Sequence, residues 1–326
     1  MSERWLYLGG GRGWHYKQTR DALARHGCEL THAKYESLAV HIDANRVVLQ
    51  CQCEAQSSVT ESKPGVTSKG LEGVTNLSEF AGVLSRTMPA GNLEQITTRL
   101  AVLHELNASG SGPLIVNSPS TLEWAIDKLT TLAIVARLGF AVPDTHVVQN
   151  RAEAMRAFDT FGGDVVVKPL FGGEGRGIMR IGDRELAWTA FAALDELQRV
   201  FYVQRFIPKI EREIRVLQIG ARQIFVSRHN DGDFRSNASQ GGRVHTVEHV
   251  PAEWATMADE IAREMNLFFG SIDFALDQHG LPTVIEVNAV PGWKYTQAVR
   301  EESIADILAD ELMKLGSASN RGHVCL

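Results

Sequence analysis

A strand, a lysine, a glycine-rich loop and a second strand follow one another in residues 165–181, which read VVVKPLFGGEGRGIMRI. Four glycines fall within six positions, and the backbone of glycine is the most costly in entropy to order. The loop joins two strands and does not open a helix, and no lysine closes it, so it is not a P-loop. The pattern predicts a flap whose backbone amides can close over phosphate oxygens.

Lys168 ends the first of these strands, directly before the loop. The three valines that precede it indicate a buried strand, so its ammonium group would lie at the edge of an apolar environment. A buried lysine is costly unless an anion meets it, and a nucleotide phosphate under the flap would be such an anion. A solvated lysine above an ordinary hairpin is the alternative.

Two carboxylates and an amide fall on two consecutive strands in SIDFALDQHGLPTVIEVNAVPGW. Glu286 and Asn288 are two residues apart, so both point to one face of their strand. Asp273 lies on the preceding strand. Oxygen ligands of this kind suit Mg²⁺, which completes its coordination with water and nucleotide phosphates. Solvated acids are the alternative, but the spacing and the proline–glycine stop favour a metal site.

Basic residues among polar and apolar neighbours form a further group. Glu213 and Arg215 alternate with apolar residues in REIRVLQIG and share one face of their strand. Arg235 and Asn237 lie in the polar stretch GDFRSNASQGG. A guanidinium can pair with phosphate or carboxylate through two hydrogen bonds, with an ordinary surface salt bridge as the alternative for each arginine. Lys128 lies in an otherwise apolar helix, where a lysine usually faces solvent.

Residues 1–117 alternate short apolar runs with helical patterns, which predicts a small open parallel sheet. The glycine run at 9–13 lacks the spacing and the later acidic residue of a dinucleotide fingerprint, which favours a tight turn or a surface loop that faces a substrate. Residues 54–78 are rich in Ser, Thr and Gly and are expected to be a loop. Arg86 ends a strand, from which it could reach a ligand cleft at the carboxyl ends of the strands.

The stretch 117–140 predicts one helix that begins with a capping box of Ser120 and Glu123. Strands and a helix then surround the flap, and long strands dominate from residue 212 onward. We therefore divide the chain into residues 1–117, 118–206, 207–315 and a disordered tail, 316–326.

The composition excludes several classes of protein. The net charge is −6 and the pI is near 6, so neither nucleic acid nor an anionic membrane is an expected partner. The sequence shows no signal-peptide pattern and no apolar run long enough to span a membrane. Cys51 and Cys53 have a spacing unsuited to zinc knuckles, which favours buried thiols in a reducing cytosol. We expect a cytoplasmic protein, and whether it forms a homo-oligomer stays open.

Six segments, in this order, resemble those of the ATP-grasp carboxylate–amine ligases, and most closely the RimK-like alpha-L-glutamate ligases. They are IDKLTTLAIVARLGFAVPDT, VVVKPLFGGEGRGI, YVQRFI, REIRVLQIG, GDFRSNASQGG, and the pair IDFA and IEVNAVPGW. The resemblance covers residues 120–315 and implies an α/β fold, in which a small parallel-sheet pre-domain precedes a two-lobed ATP-grasp domain. SRTMPAGNLEQI and NAVPGW resemble ligases of tetrahydromethanopterin-type cofactor synthesis more than ribosomal-protein modifiers.

The resemblance also implies roles for individual residues. The lysines and the flap would contact ATP phosphates, the segment 204–207 would offer backbone groups to adenine, and one acid would hold the ribose. The implied nucleotide-binding residues are Lys128, Lys168, Gly172, Gly173, Glu174, Gly175, Gly177, Gln204, Arg205, Phe206, Ile207 and Glu213. The implied ligands of two Mg²⁺ ions, for which Mn²⁺ can substitute, are Asp273, Glu286 and Asn288. The implied catalytic residues are Arg215, Arg235 and Asn237.

Two positions depart from the family pattern. Arg205 stands where an acid is usual, in an element that by the resemblance works largely through its backbone. Val290 stands where a serine is usual, near the reacting groups, so it bears on which substrate is used. The implied reaction converts a carboxylate and ATP to an acyl phosphate, from which an amino acid, L-glutamate above all, forms an amide. Both substrates would be small molecules, in one-carbon cofactor biosynthesis for example. A glutamate ligase acting on a protein C-terminus and a non-catalytic ATP-binding module are the alternatives.

Overall fold

The computed structural model describes residues 2–54, 71–108, 110, 112–172, 177–207, 212–229 and 243–319. The first part of the chain forms the pre-domain, a sheet with two long helices. Its strands are β1 (Arg4–Leu8), β2 (Glu29–Ala33), β3 (Ala39–Asp43), β4 (Arg46–Glu54), β5 (Leu71–Asn76), β6 (Gly82–Ser85) and β7 (Leu114–Val116). Its helices are α1 (Trp14–Arg25) and α2 (Leu93–Ala108).

The predicted parallel sheet is present as four strands in the order β2-β1-β6-β7. It is extended by β4, which pairs antiparallel with β2, β3 and β5. The connection between β3 and β4 is too short for a parallel crossover, so these strands form a hairpin. The expectation of a loop over 54–78 is wrong for Leu71–Asn76, which forms β5. Residues 55–70 lie outside the described residues.

The glycine run after β1 forms a tight turn. Gly9 has a φ of +92°, and a Cβ atom placed on it would lie 2.6 Å from the Tyr35 ring and 2.7 Å from the Thr87 carbonyl oxygen. Close packing therefore requires glycine at this position. Cys51 and Cys53 on β4 are buried free thiols, as predicted.

The single helix predicted over 117–140 is wrong, because the chain forms two helices, α3 (Pro119–Ile126) and α4 (Lys128–Arg137). Ser118, and not Ser120, caps α3 with its side chain. Asp127 has an extended backbone and accepts a hydrogen bond from a backbone N–H of α4, so it ends one helix and caps the next. Lys128 is thereby the first residue of α4.

The small lobe is an antiparallel sheet in the order β10-β9-β11-β8 with two helices. Its elements are β8 (Thr145–Val148), α5 (Arg151–Thr160), β9 (Val165–Lys168), β10 (Met179–Ile181), α6 (Arg184–Glu196) and β11 (Phe201–Arg205). The two strands predicted on either side of the glycine loop are confirmed as the hairpin of β9 and β10.

The large lobe is an antiparallel sheet in the order β14-β13-β12-β15-β16, in which the predicted long strands are confirmed. Its elements are β12 (Arg212–Ile219), β13 (Arg222–His229), β14 (Arg243–Thr246), α7 (Ala252–Glu264), β15 (Phe269–Leu276), β16 (Pro282–Asn288), α8 (Lys294–Gln297) and α9 (Ile304–Ser319). Because α9 continues to Ser319, the tail predicted over 316–326 is helical at its start. Residues 320–326 lie outside the described residues.

The hydrophobic cores do not correspond one to one with the three successive parts of the chain. One core lies entirely within the small lobe. Two others each combine side chains of the pre-domain with side chains of the large lobe, and α4 adds Ile134 and Val135 to one of them. The domain boundaries given above stay predictions. Across the described residues, none of the helices is sufficiently long and apolar to span a membrane.

Candidate active site

A row of alternating charges crosses one face of the large-lobe sheet. Arg215 on β12 lies opposite Asp273 on β15, and its Nε and Nη2 atoms donate to the two carboxylate oxygens at 2.7 and 2.6 Å. Arg228 on β13 donates to Asp273 at 3.2 Å and to Glu213 at 3.3 Å. Burial would raise the pKa of Asp273, but the two guanidinium groups lower it below its usual value. Asp273 is therefore held as a carboxylate.

Glu213 lies at the other end of this row, where the effect of burial outweighs the attraction of the arginines. Burial raises the pKa of Glu213 to about 7, because Arg228 and Arg215 only partly offset the loss of water and the repulsion by Asp273 and Glu286. The resemblance assigned Glu213 to the ribose. A carboxyl group that is half ionised near neutral pH can either donate or accept a hydrogen bond at that position.

Arg228 belongs to this row of charges, although the motifs did not identify it. It lies in the strand ARQIFVSRHN, opposite Glu213, and only 5% of its side chain is exposed. Its position beside the apolar run was a usable signal, because a buried arginine is stabilised when an acidic partner lies on a neighbouring strand. The partner strand could not be known before the order of the sheet was known.

Glu286 and Asn288 on β16 face the same side as this row. Asp273 lies opposite Glu286, and Ser271 lies opposite Asn288, with a register shift directly after Asp273. Among the described residues Glu286 forms no ion pair. The Oδ1 atom of Asn288 accepts a hydrogen bond from the backbone N–H of Val290 at 2.9 Å. The predicted trio thus lies together, although Asp273 is already engaged by two arginines.

The oxygen atoms of this trio fit a hard cation that takes few protein ligands. A carboxylate offers about four lone-pair sites, and the arginines use three of those on Asp273. No cluster of three or more His, Cys, Asp or Glu side chains suited to a metal occurs in the part of the chain that the structure describes. Mg²⁺ commonly binds through one or two carboxylates plus substrate phosphates, so the donor set suits it better than an ion that needs a full protein shell.

Lys168 faces this acidic edge from the small lobe. Its Nζ atom donates to the side-chain oxygen of Gln204 on β11 at 2.8 Å. The pKa of Lys168 is lowered to about 8, chiefly by burial; Lys128 contributes to this shift, while Glu286 and Glu213 oppose it. A bound anion would stabilise the charged form of this lysine, because it would place an opposite charge beside the ammonium group.

The segment 204–207 was expected to act through its backbone, and the structure adds a role for a side chain. Gln204 is buried and bridges Lys168 to the hydroxyl group of Thr145, to which it donates at 2.9 Å. The N–H groups of Arg205 and Phe206 already donate to the backbone carbonyl oxygens of Asp144 and Asp164, which directly precede β8 and β9. An adenine ring would therefore have to use the remaining backbone groups of this segment, which include those of Ile207.

Lys128 approaches the flap from the start of α4. Its Nζ atom donates to the carbonyl oxygen of Gly172 at 2.5 Å, and burial lowers its pKa against the opposing effect of Glu286. Lys128 is thus half-buried and bonded to the start of the flap, which a lysine that only faces solvent would not be. Gly177 closes the loop with a φ of +72°. Five predicted site residues lie outside the described residues, namely Gly173, Glu174, Gly175, Arg235 and Asn237.

Glu286 connects the two sides of the cleft electrostatically. Its charge raises the pKa of Lys128 and Lys168 on the small-lobe side and that of Arg215 on the large-lobe side. Predicted phosphate-binding lysines and predicted metal ligands are therefore close enough to act on one another. Such an arrangement of cations would suit a polyanion, and Glu286 would offer a carboxylate to a metal ion bound with it.

Arg86, in contrast, does not reach the cleft. It is buried at 4% exposure, and its Nη2 atom donates to the carbonyl oxygen of Pro291 at 2.7 Å. Its guanidinium lies over the rings of Phe269 and Trp293. The expectation that Arg86 faces a substrate is wrong for this structure, because the loop after β16 covers it.

Residues 125–312, more than half of the chain, match the family described as the RimK-like ATP-grasp domain. The chain belongs to the RimK-like ATP-grasp family. It is accordingly an ATP-dependent ligase. This membership and the two-lobed fold agree with the resemblance drawn from the motifs.

Two relatives of this RimK-like ligase carry names that specify an activity. A tetrahydromethanopterin:alpha-L-glutamate ligase from Methanosarcina acetivorans is 30% identical over 233 residues, which are 68% of this chain and 70% of the relative. A probable alpha-L-glutamate ligase from Vibrio cholerae is 29% identical over 280 residues, which are 85% of this chain and 88% of the relative.

Solved structures resemble the RimK-like ligase over nearly its whole length. An ATP-grasp ligase from Chryseobacterium gregarium, in complex with ADP and a leader and core peptide, has a TM-score of 0.68 at 16% identity and covers 96% of this chain and 97% of its own. A macrocyclase from Microcystis aeruginosa bound with a precursor peptide has a TM-score of 0.69 at 15% identity, with 96% and 99% covered. At this identity the likeness shows a common fold alone.

Proposed function

We propose that this ligase forms an amide bond between a small carboxylate and an amino acid, with L-glutamate as the amine, through an acyl phosphate. The observation that carries the proposal is the electrostatic contact of Glu286 with Lys128, Lys168 and Arg215. It brings phosphate-binding cations and a metal-type carboxylate into one cleft. The names of the two relatives support glutamate as the amine.

The reaction then has two steps, and the protein mainly positions groups and offsets charge. A carboxylate oxygen attacks the γ-phosphorus of ATP, the bond to the β-phosphate oxygen breaks, and ADP leaves. The amine nitrogen next attacks the acyl carbon, the carbon–oxygen bond to phosphate breaks, and the amine loses a proton. Phosphate is a far better leaving group than oxide, which is why ATP is needed.

Several of the predicted residues have a task in this scheme. Lys168, oriented by Gln204, would hold a phosphate oxygen, and Lys128 would hold another while it binds the flap at Gly172. Glu286 and Asn288, with the remaining lone pair of Asp273, would hold Mg²⁺, which when bound neutralises charge on the phosphates. Arg235 and Asn237 would lie near the acyl phosphate, and the flap would keep water from it.

The test is a two-dimensional screen of the purified full chain with ATP and Mg²⁺, in which amino acids are crossed with small carboxylates that include pterin-type and furan-type precursors. ADP release and product mass are measured together. We expect ADP release that requires both substrates, and a product heavier by one or more glutamyl residues. Omission of the amine and a Lys168→Ala variant are the controls.

The outcomes separate the alternatives. ADP release with another amine and none with glutamate would discard glutamate and leave the ligase class standing. Activity with a peptide carboxylate, and with no small acid, would favour a protein C-terminus as acceptor. Tight nucleotide binding without ADP release in any combination would favour a non-catalytic ATP-binding module.

A further inference from the structure

Three polar side chains of the pre-domain hold the main chain directly after β16. Asn117 donates to the carbonyl oxygen of Ala289 at 2.7 Å, and Arg86 donates to that of Pro291 at 2.7 Å. His15 accepts a hydrogen bond from the backbone N–H of Trp293 at 3.1 Å. Three alternate positions of one short loop, 289, 291 and 293, are each bonded by a different element of another domain.

These contacts lie beside the proposed metal site. Asn288 immediately precedes the loop, and its side chain is itself oriented by the backbone of Val290. Asn117 also donates to the carbonyl oxygen of Phe269 at 2.6 Å and accepts from its N–H at 2.9 Å, so it fixes the start of β15 as well. The pre-domain therefore holds both strands that carry the proposed metal ligands, at the end where Asn288 lies.

Of these three side chains, Arg86 has the largest free-energy cost of burial, because it carries a charge. Its Nε and Nη1 atoms are buried without a partner of good hydrogen-bonding geometry among the described residues, and it forms no ion pair there. Burial lowers the pKa of Arg86, and the phenol groups of Tyr7 and Tyr35 only partly oppose the shift. Replacing a buried charge by an apolar side chain of similar volume is often neutral or stabilising. Packing alone therefore gives no reason for an arginine at this position.

We propose that Arg86 is a positioning residue, which sets the main chain of residues 289–293 so that the side chain of Asn288 is aimed at the metal and phosphates. The inference rests on the proposed role of Asn288. Arg86 itself touches neither nucleotide nor substrate in this scheme. It acts through the Pro291 carbonyl oxygen, and its planar guanidinium lies over both the Phe269 and the Trp293 rings.

The experiment compares Arg86→Met with Arg25→Met. Arg25 also joins the pre-domain to the large lobe, through an exposed pair with Asp306 in which its Nε donates at 3.0 Å, so it controls for any loss of a contact between these parts. Three quantities are measured: amide hydrogen exchange of residues 289–293, the Mg²⁺ concentration needed for ADP binding by calorimetry, and the melting temperature.

In Arg86→Met we expect faster exchange of the loop and a Mg²⁺ requirement raised about tenfold, the lower end of the effect of groups that orient metal ligands. The melting temperature should not fall. Arg25→Met should leave the exchange of the loop and the Mg²⁺ requirement unchanged. A lower melting temperature with unchanged exchange and Mg²⁺ requirement would overturn the proposal, because it would assign Arg86 to packing alone.

Two further variants keep the test decisive. Should Arg86→Met not fold, Arg86→Lys keeps the charge but loses the planar fork; faster exchange with a raised Mg²⁺ requirement then supports the proposal, and wild-type values for both overturn it. Asn288→Ala tests the underlying metal role separately. If it binds ADP at the wild-type Mg²⁺ requirement, the metal role fails, whereas the exchange of residues 289–293 in Arg86→Met still decides whether Arg86 holds the loop.

Discussion

The small lobe and the rest of the molecule are built in different ways. The small lobe has a core of its own, formed by residues between Ala154 and Val203. The pre-domain and the large lobe share their cores: Trp5 and Tyr7 pack in the same cluster as Phe269 and Trp293. By their cores, the described residues therefore form two bodies. The small body is the small lobe, and the joined body is the pre-domain together with the large lobe.

This difference matches the distribution of charge. The small body carries Lys168, and the joined body carries Glu286, so the cation and the acid that face each other belong to parts with separate cores. Parts with separate cores can move as units, as in other enzymes that close over a ligand. We expect a nucleotide, which would bind both, to draw the bodies together. Because the pre-domain shares its cores with the large lobe, we expect it to move with the acids, so that closure leaves its packing unchanged.

The largest effect on stability is expected from a substitution that disrupts the core of one body and leaves the cores of the other intact. Phe191 is fully buried in the small lobe, with its ring 5.7 Å from that of Phe201. Phe191→Ala should cost about 3–5 kcal/mol, the usual range for truncation of a buried phenylalanine. Hydrogen exchange should rise across the small lobe and not in the pre-domain, because the cores are separate.

The matched variant is Phe274→Ala on β15, whose ring lies 5.3 Å from that of Trp254 in a shared core. There exchange should rise in the pre-domain and the large lobe together. Uniform destabilisation of the whole chain by both variants would show that the described division into two bodies has no energetic meaning.

The next effect concerns the charge row of the joined body. Arg228→Met removes the shared partner of Glu213 and Asp273, and breaking a buried pair on one side should cost about 3 kcal/mol. The loss should be greater at pH 8 than at pH 6. With a pKa of about 7, which the variant raises further, Glu213 is protonated at the lower pH and then needs no cation.

Denaturant unfolding at the two pH values measures this difference. The control is Arg263→Met, which removes an exposed pair with Asp259 and should cost about 0.3–0.5 kcal/mol at either pH. Equal losses for Arg228→Met at both pH values would mean that Glu213 does not titrate in this range.

Arg228 also shows how far the sequence could lead. Local patterns and the family motifs predicted the glycine hairpin and the long strands, which the structure contains, because those signals lie within single segments. The roles of the residues in the cleft stay predictions. The partner of Arg228 depends on the order of the sheet, which no single segment contains. Arg86 was misplaced for the same reason: its strand was recognised, but the loop that covers it comes 205 residues later.

A smaller effect should follow from removing the cation of the small body. Lys168→Ala should weaken ADP binding by about 2 kcal/mol, the low end for loss of a buried charged contact. Calorimetry measures it, with Lys314→Ala on α9 as control, since Lys314 pairs with Glu311 and is largely exposed. Unchanged affinity in Lys168→Ala would place the phosphates elsewhere. Because Lys168 lies on β9, exchange in the joined body should stay unchanged in this variant.

The last and smallest effect tests whether the two bodies communicate through charge. ADP should bind better to charged Lys168, whose pKa of about 8 is depressed, so wild-type affinity should fall as the pH rises through about 8. Glu286 raises that pKa, so Glu286→Gln should move the fall to lower pH.

The titration is done with a metal chelator, which removes any effect through a metal ligand. Glu301→Gln, an exposed acid before α9, is the control and should leave the midpoint in place. An unchanged midpoint in Glu286→Gln would mean that the small body and the acids of the joined body act independently. A downward shift would mean that Glu286 helps to keep Lys168 charged across the cleft before any nucleotide arrives.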